Sequence, residues 1–151
     1  MATISSREPN MGFPFSNPWD ISDGATPDKS TGIPYMYFVD LEMSVIDLKA
    51  DNRMSLSVTL DQGGYCQELG IDAQDPPCPR VILTGSYVAI EEDSAEFEFA
   101  REALFTRHPQ MEFWPHDFYF AKMDIKDVIL LAAFGGANHV SLDDYFNATL
   151  D

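Results

Sequence analysis

Met54-Ser55-Leu56-Ser57-Val58-Thr59-Leu60 alternates apolar and polar residues without a fault. Successive side chains of a strand point to opposite faces, so this spacing predicts a β-strand with Met54, Leu56, Val58 and Leu60 on one buried face. Outward from it, Pro34–Phe38 is aromatic and strand-like, Arg80–Ile90 and Phe118–Ile125 are β-rich, and Asp127–Phe134 continues as a buried strand. Ala2–Ser6 and Pro14–Ser22 read as two short strands around the turn Glu8-Pro9-Asn10-Met11-Gly12, followed by a polar loop over Ser22–Gly32. Helices are expected in the connections. One fits Leu41–Lys49. A second is capped by Asp93 or Ser94, runs to about Thr106 with Phe97, Ala100 and Leu104 on one side, and is stopped by Pro109. A third lies near Ser141–Phe146, where Ser141 and Asp144 make an S-x-x-D cap. Six or seven strands with helical connections predict a small antiparallel barrel, mainly β with α connections.

At 151 residues the chain is read as a single domain spanning residues 1–151. Its 25 acidic and 9 basic residues leave a net charge of −16, and the cations are scattered rather than striped. That balance repels phosphate backbones and anionic lipid, so direct nucleic-acid binding is not expected. No apolar run approaches the roughly 18 residues of a membrane-spanning helix, and membrane insertion is not expected.

Sites of ordinary chemistry fail their own tests. His108, His116 and His139 lack metal-ligand spacing, and no metal site is expected. Ser55, Ser57 and Thr59 share a strand face without a His–carboxylate pair to activate them, so no catalytic residue is assigned. Glu91-Glu92-Asp93 and Asp143-Asp144 read as solvated turns or helix starts, and Gly135-Gly136-Ala137 as a turn ending a strand. Cys66 and Cys78 stand twelve positions apart, too far for a C-x-x-C redox motif; either two reduced thiols or a disulfide across one surface connection is compatible with the spacing.

The order of short motifs resembles a known family. Ala2-Thr3-Ile4-Ser5, Gly12-Phe13-Pro14-Phe15-Ser16, Gly32-Ile33-Pro34-Tyr35 and Arg53-Met54-Ser55-Leu56 resemble the FMN-binding split barrel, the pyridoxine-phosphate-oxidase-like fold. Within it, Gly70-Ile71-Asp72, Pro77-Cys78, Leu83-Thr84-Gly85, Phe105-Thr106-Arg107-His108-Pro109, Trp114-Pro115, Phe134-Gly135-Gly136 and Tyr145-Phe146-Asn147-Ala148-Thr149 are similar to the CREG family of cellular repressor glycoproteins. The resemblance implies a six-stranded Greek-key split β-barrel that forms a homodimer, in which a partner is expected to cover strand-face aromatics such as Tyr35, Tyr37, Phe118 and Phe120. It also implies a secreted and endosomal–lysosomal glycoprotein that acts in growth control, differentiation and lysosomal function through a cell-surface or lysosomal-sorting receptor. The family carries a signal peptide and a further helix ahead of Ala2–Ser5, so the chain is read as an N-terminally truncated domain.

The same resemblance bears on cofactors. Flavin- and haem-binding relatives carry a His-Thr-Arg-Asn run after the third strand, where this chain has Ser44, Val45, Ile46 and Asp47. Ile46 replaces the cation and Asp47 adds an acid, which leaves Arg53 as a lone basic candidate for a phosphate clamp. Burying a phosphate dianion beside carboxylates without arginine is unfavourable. The position matching a basic residue of haem-binding relatives is Gly136. In the family the loop here formed by Asp72, Ala73, Gln74 and Asp75 is expected to fill the flavin space. No cofactor and no enzymatic activity are therefore expected; an FMN-dependent oxidoreductase and a haem-binding barrel are the alternatives. The family's secretory route favours a Cys66–Cys78 disulfide, and its C-terminal glycan position coincides with Asn147 of the Asn147-Ala148-Thr149 sequon.

Overall fold

The computed structural model describes residues 1–134 and 136–149. Among these residues seven strands form one antiparallel sheet: β1 (Ala2–Ile4), β2 (Pro14–Ser16), β3 (Tyr35–Val39), β4 (Arg53–Thr59), β5 (Arg80–Ala89), β6 (Phe118–Leu131) and β7 (Asn138–Val140). Their order is β2-β1-β4-β5-β6-β3, with β7 pairing the far end of β6. The described residues hold four α-helices: α1 (Met43–Ala50), α2 (Tyr65–Glu68) and α3 (Ala95–Arg107) in the connections, and α4 (Leu142–Phe146) after β7. The sheet curls, because the segment after β2 crosses to the opposite edge and Ser22 bridges Tyr35 of β3. The chain thus has the split-barrel architecture expected of it.

The expected Pro14–Ser22 strand is cut to Pro14–Ser16, with only the isolated bridge at Ser22 beyond it. Pro18 has no N–H to give a ladder, so the strand cannot run through it. The two strands expected over Phe118–Ile125 and Asp127–Phe134 are one, β6, which ends at Leu131. Opposite Thr84 and Gly85 its register shifts from Asp127 to Ile125, leaving Lys126 as the extra residue of a bulge. Gly85 permits this: a Cβ there would lie 2.2 Å from the Asp124 carbonyl oxygen. The Gly135 position falls outside the described residues.

The alternation at Met54–Leu60 holds for its first half. Met54 and Leu56 are buried, whereas Val58 is 39% and Leu60 50% exposed. The strand stops at Thr59, whose hydroxyl accepts from Asp61 N at 3.2 Å and turns the chain into a short 3-10 segment.

Alternation along β3 and β6 makes two apolar layers. Met36, Phe38, Ala121 and Met123 face inward with Leu48, Met54, Leu56, Leu83 and Val128. Tyr35 and Phe120 face outward and pack beneath α3 with Ala100, Leu104 and Met111. The Ser94 hydroxyl caps α3 by accepting from Phe97 N at 3.0 Å. Tyr37 stacks on both Phe118 and Phe120, and Phe97 and Phe105 meet Phe120 edge-on or tilted. These outer aromatics, expected to need a partner's cover, are covered in large part by the chain's own α3 and Trp114.

Candidate functional site

Helix α1 sets the geometry where flavin contacts were sought. Its inner side buries Ser44, Val45, Asp47 and Leu48, while Ile46 points outward and is 39% exposed. Asp47 is fully buried, yet every approach to it is polar. Ser6 donates from its backbone N–H at 2.8 Å and from its hydroxyl at 2.9 Å, and the Thr3 hydroxyl lies at 3.4 Å. Arg7 adds Nε at 3.1 Å and Nη2 at 2.9 Å. Burial disfavours the charged carboxylate, but the Arg7 and Ser6 hydrogen bonds outweigh it and hold the Asp47 pKa below the ordinary value. The acid expected to repel phosphate is therefore an anchor that ties the first strand and its following turn to α1. Sequence reading missed this role; the only signal available was a basic residue in the turn after β1.

The other flavin-position residues are likewise committed or inert. The Ser44 hydroxyl is buried and accepts from Asn17 Nδ2 at 3.5 Å, and Val45 belongs to the core. Arg53 points into solvent and pairs with Asp51 at 2.5 Å. The Arg53 hydrogen bonds bring the Asp51 pKa down to about 2. Ser44, Val45, Ile46, Asp47 and Arg53 thus do not converge on one point. A flavin phosphate finds no fitting donor set at α1.

The Asp72–Asp75 loop departs from expectation as well. All four of its side chains are exposed, so within one chain it fills no pocket. It is a self-contained turn: Asp75 N donates to Asp72 O at 2.9 Å, and Asp72 N donates to Asp75 Oδ2 at 3.0 Å. Arg80 Nη1 faces the carbonyls of Ala73, Gln74, Asp75 and Cys78 at 3.3–3.5 Å and holds the loop from below. Two carboxylates and an amide keep their hydration by this outward placement. At the loop's base the structure joins the buried Cys66 and Cys78 in a disulfide, with Cα atoms 5.6 Å apart. Asp61 lies beside these sulfurs, but a disulfide offers no thiolate to a metal.

The histidines are dispersed. His108 shares a hydrogen bond with the Ile21 carbonyl at 3.2 Å, His139 meets Asp127 at 3.3 Å, and His116 is exposed. The sequon sits at the exposed end of α4, where Asn147 Nδ2 donates to Asp143 O at 2.7 Å. The Ser141 hydroxyl caps this helix by accepting from Asp144 N at 3.1 Å and donates to Asp144 Oδ2 at 2.7 Å. Tyr145 pins it to the barrel, its phenol donating to the Gly32 carbonyl at 2.7 Å.

A family profile described as "CREG, beta-barrel" matches residues 1–147. The chain belongs to the CREG family. It is 42% identical over 150 residues to Protein CREG1 of Gallus gallus, covering 97% of this chain and 77% of that one. With Protein CREG1 of Homo sapiens it shares 37% identity over 152 residues, 99% of this chain and 68% of the relative. Protein CREG2 of Homo sapiens is 37% identical over 150 residues, and the chain spans 51% of its length. Among solved structures, a heme binding protein from Mycobacterium smegmatis superposes with a TM-score of 0.73 at 18% identity, over 98% of this chain and 54% of that one. An Agrobacterium tumefaciens protein of unknown function, Atu2129, gives 0.67 at 21% identity, over 95% and 52%. These structural likenesses carry the split-barrel fold.

Proposed function

We propose that this CREG-family chain is a non-enzymatic glycoprotein of the secretory and endolysosomal route, acting as a homodimer through a cell-surface or lysosomal-sorting receptor in growth control, differentiation and lysosomal function. The observation that carries the non-enzymatic reading is the commitment of the α1 residues. Asp47 is buried against Arg7 and Ser6, Ile46 carries no charge, and Arg53 is neutralised by Asp51. Two observations support partner binding. The Asp72–Asp75 loop stands outward on a disulfide base, as loops that carry recognition on a rigid scaffold do. The exposed surface is 9,292 Å², against about 7,700 Å² for a compact monomer of this size. Leu41, Met43 and Ile46 around α1 are apolar and exposed, and offer a second copy a surface to cover.

The testing experiment uses protein secreted from a glycosylating host and incubated with FMN and with haemin. The expected outcome is no retained visible absorbance after desalting, together with a dimer in sedimentation at low micromolar concentration. Retained flavin or haem absorbance with saturable binding overturns the non-enzymatic reading, and a monomer overturns the dimer. Replacing Asp72, Gln74 and Asp75 together by alanine is expected to leave thermal unfolding unchanged and abolish binding to responsive cells.

A further inference from the structure

Seven of the nine basic residues meet a carboxylate: Arg7 with Asp47, Lys29 with Glu102, Lys49 with Asp40, Arg53 with Asp51, Arg101 with Glu98 and Glu112, Lys122 with Glu96, and Lys126 with Asp124. Arg80 and Arg107 meet none among the described residues, although the chain has 25 acids to offer. Both line the same cavity.

That cavity holds about 370 Å³ and opens at one end of the barrel. The strand register explains its apolar walls. Leu56, Leu83 and Val128 lie opposite one another across β4, β5 and β6, and they are buried. Two residues further along, Val58, Val81 and Leu130 form the next layer facing the same way. Among the described residues nothing caps this layer, and Val58 is left 39% exposed. Ile21 and Pro34 close the opposite wall, and Tyr145 of α4 stands at the side.

The charges at the rim set the sign of the ligand. Arg80 turns Nη1 alone to main-chain carbonyls at 3.3–3.5 Å, which occupies part of its donor capacity and leaves its charge unneutralised. Arg107, the last residue of α3, is exposed and has no hydrogen-bond partner among the described residues. Asp23 also lines the cavity, its Oδ2 accepting from the Ser30 hydroxyl and from Gly32 N on its own loop; its one negative charge stands against the two arginines, so the lining stays net positive.

We infer that the barrel mouth binds a single-chain amphiphilic carboxylate, a fatty acid, with its alkyl chain on the Val58–Val81–Leu130 layer and its carboxylate at Arg107. Arg107 supplies the direct charge-assisted hydrogen bond and Arg80 the positive field behind it. The carboxylate stays at the wet rim while only methylene groups are desolvated, so no charge is buried.

The inference is tested by titrating the full chain with dodecanoate below its micelle concentration, followed by calorimetry. One saturable site is expected, tightening about fourfold for each added methylene until the cavity is filled. Dodecanol should bind at least about tenfold more weakly. Arg107→Gln should lower dodecanoate affinity to the dodecanol level while leaving dodecanol binding and thermal unfolding unchanged, because the side chain is exposed and unpaired. Val58→Trp, which fills the mouth from a partly exposed position, should abolish binding of both. Absence of saturable binding, equal dodecanoate affinity in Arg107→Gln, or binding that survives Val58→Trp in a folded protein overturns the inference.

Discussion

Arg7 meets Asp47 in a two-point contact, Nη2 to Oδ2 at 2.9 Å and Nε to Oδ1 at 3.1 Å, and so fastens the turn after β1 to a helix forty residues away in sequence. Arg7 also lies over the Phe15 ring, 4.9 Å from its centroid, so the same guanidinium steadies β2. The first two strands have three residues each, and three residues of ladder do not hold a sheet edge. Asp47 is what holds them.

Replacing Asp47 by alanine strands the Ser6 N–H and the Thr3 hydroxyl, and a loss of about 2–3 kcal/mol is expected. Its pH dependence has a definite sign. The folded pKa is depressed, so the contribution is fully present above the ordinary carboxylate value and is lost as pH falls through the folded one. Urea unfolding of wild type and Asp47→Ala should therefore differ most near neutral pH and converge in acid. A gap that stays constant down to pH 2 would exclude the carboxylate charge as its origin.

Gly85 is the second position with no tolerance. Any side chain there strikes the Asp124 carbonyl across the β5–β6 bulge. Gly85→Ala is expected to cost about 1–3 kcal/mol, the usual penalty for overpacking, and more if the bulge register breaks. Gly63 is the control, since a Cβ there meets nothing within 4 Å and its φ is not positive. Gly63→Ala should be neutral or slightly stabilising by denaturant melts.

The barrel was legible where periodicity and local capping carry the signal. Met54 and Leu56, the Ser94 cap of α3 and the Ser141-to-Asp144 cap of α4 all follow from spacing alone. What was illegible depends on contacts distant in sequence. Asp47 reads as a repulsive acid until the fold brings Arg7 to it. Tyr35 and Phe120 read as faces wanting a partner until α3 lies on them. The Asp72–Asp75 loop is a plug of the flavin space only by family resemblance, and in the single chain its carboxylates keep their hydration by standing outside. The three-residue β7 carries too little pattern to be seen, and it exists because β6 is long enough to pair β3 at one end and β7 at the other.

The disulfide closes a short loop, so its expected contribution is about 3 kcal/mol in the chain-entropy account. Cys66→Ala with Cys78→Ala should lower the melting temperature measured by circular dichroism, and a reductant should lower that of the wild type similarly while leaving the double variant unchanged. Both cysteines are fully buried, so alanine rather than serine avoids placing unpartnered hydroxyls in the core. A reductant effect on the double variant would show that another group is responsible.

Tyr145 decides whether the sequon helix stays on the barrel. Helix α4 has only five residues, too few to persist without tertiary support. Its support is the Tyr145 ring against Gly32, 3.1 Å from the position a Cβ would take there, and the phenol's hydrogen bond to the Gly32 carbonyl. Gly32 has φ +70°, so both the left-handed backbone and the close ring require glycine at this position. Tyr145→Phe keeps the ring and deletes one hydrogen bond, an expected loss of about 1 kcal/mol. Tyr145→Ala removes both and should free α4, read as faster amide exchange from Asp143 to Asn147 with the core strands unaffected. Burial raises the Tyr145 pKa, and Asp23 adds to the rise. The stabilisation is therefore complete below the ordinary phenol value and is lost as pH rises through the folded pKa. Wild type and Tyr145→Phe should then converge in stability in strong alkali, whereas a constant difference there would exclude the phenol proton, and with it the hydrogen bond to Gly32, as its origin.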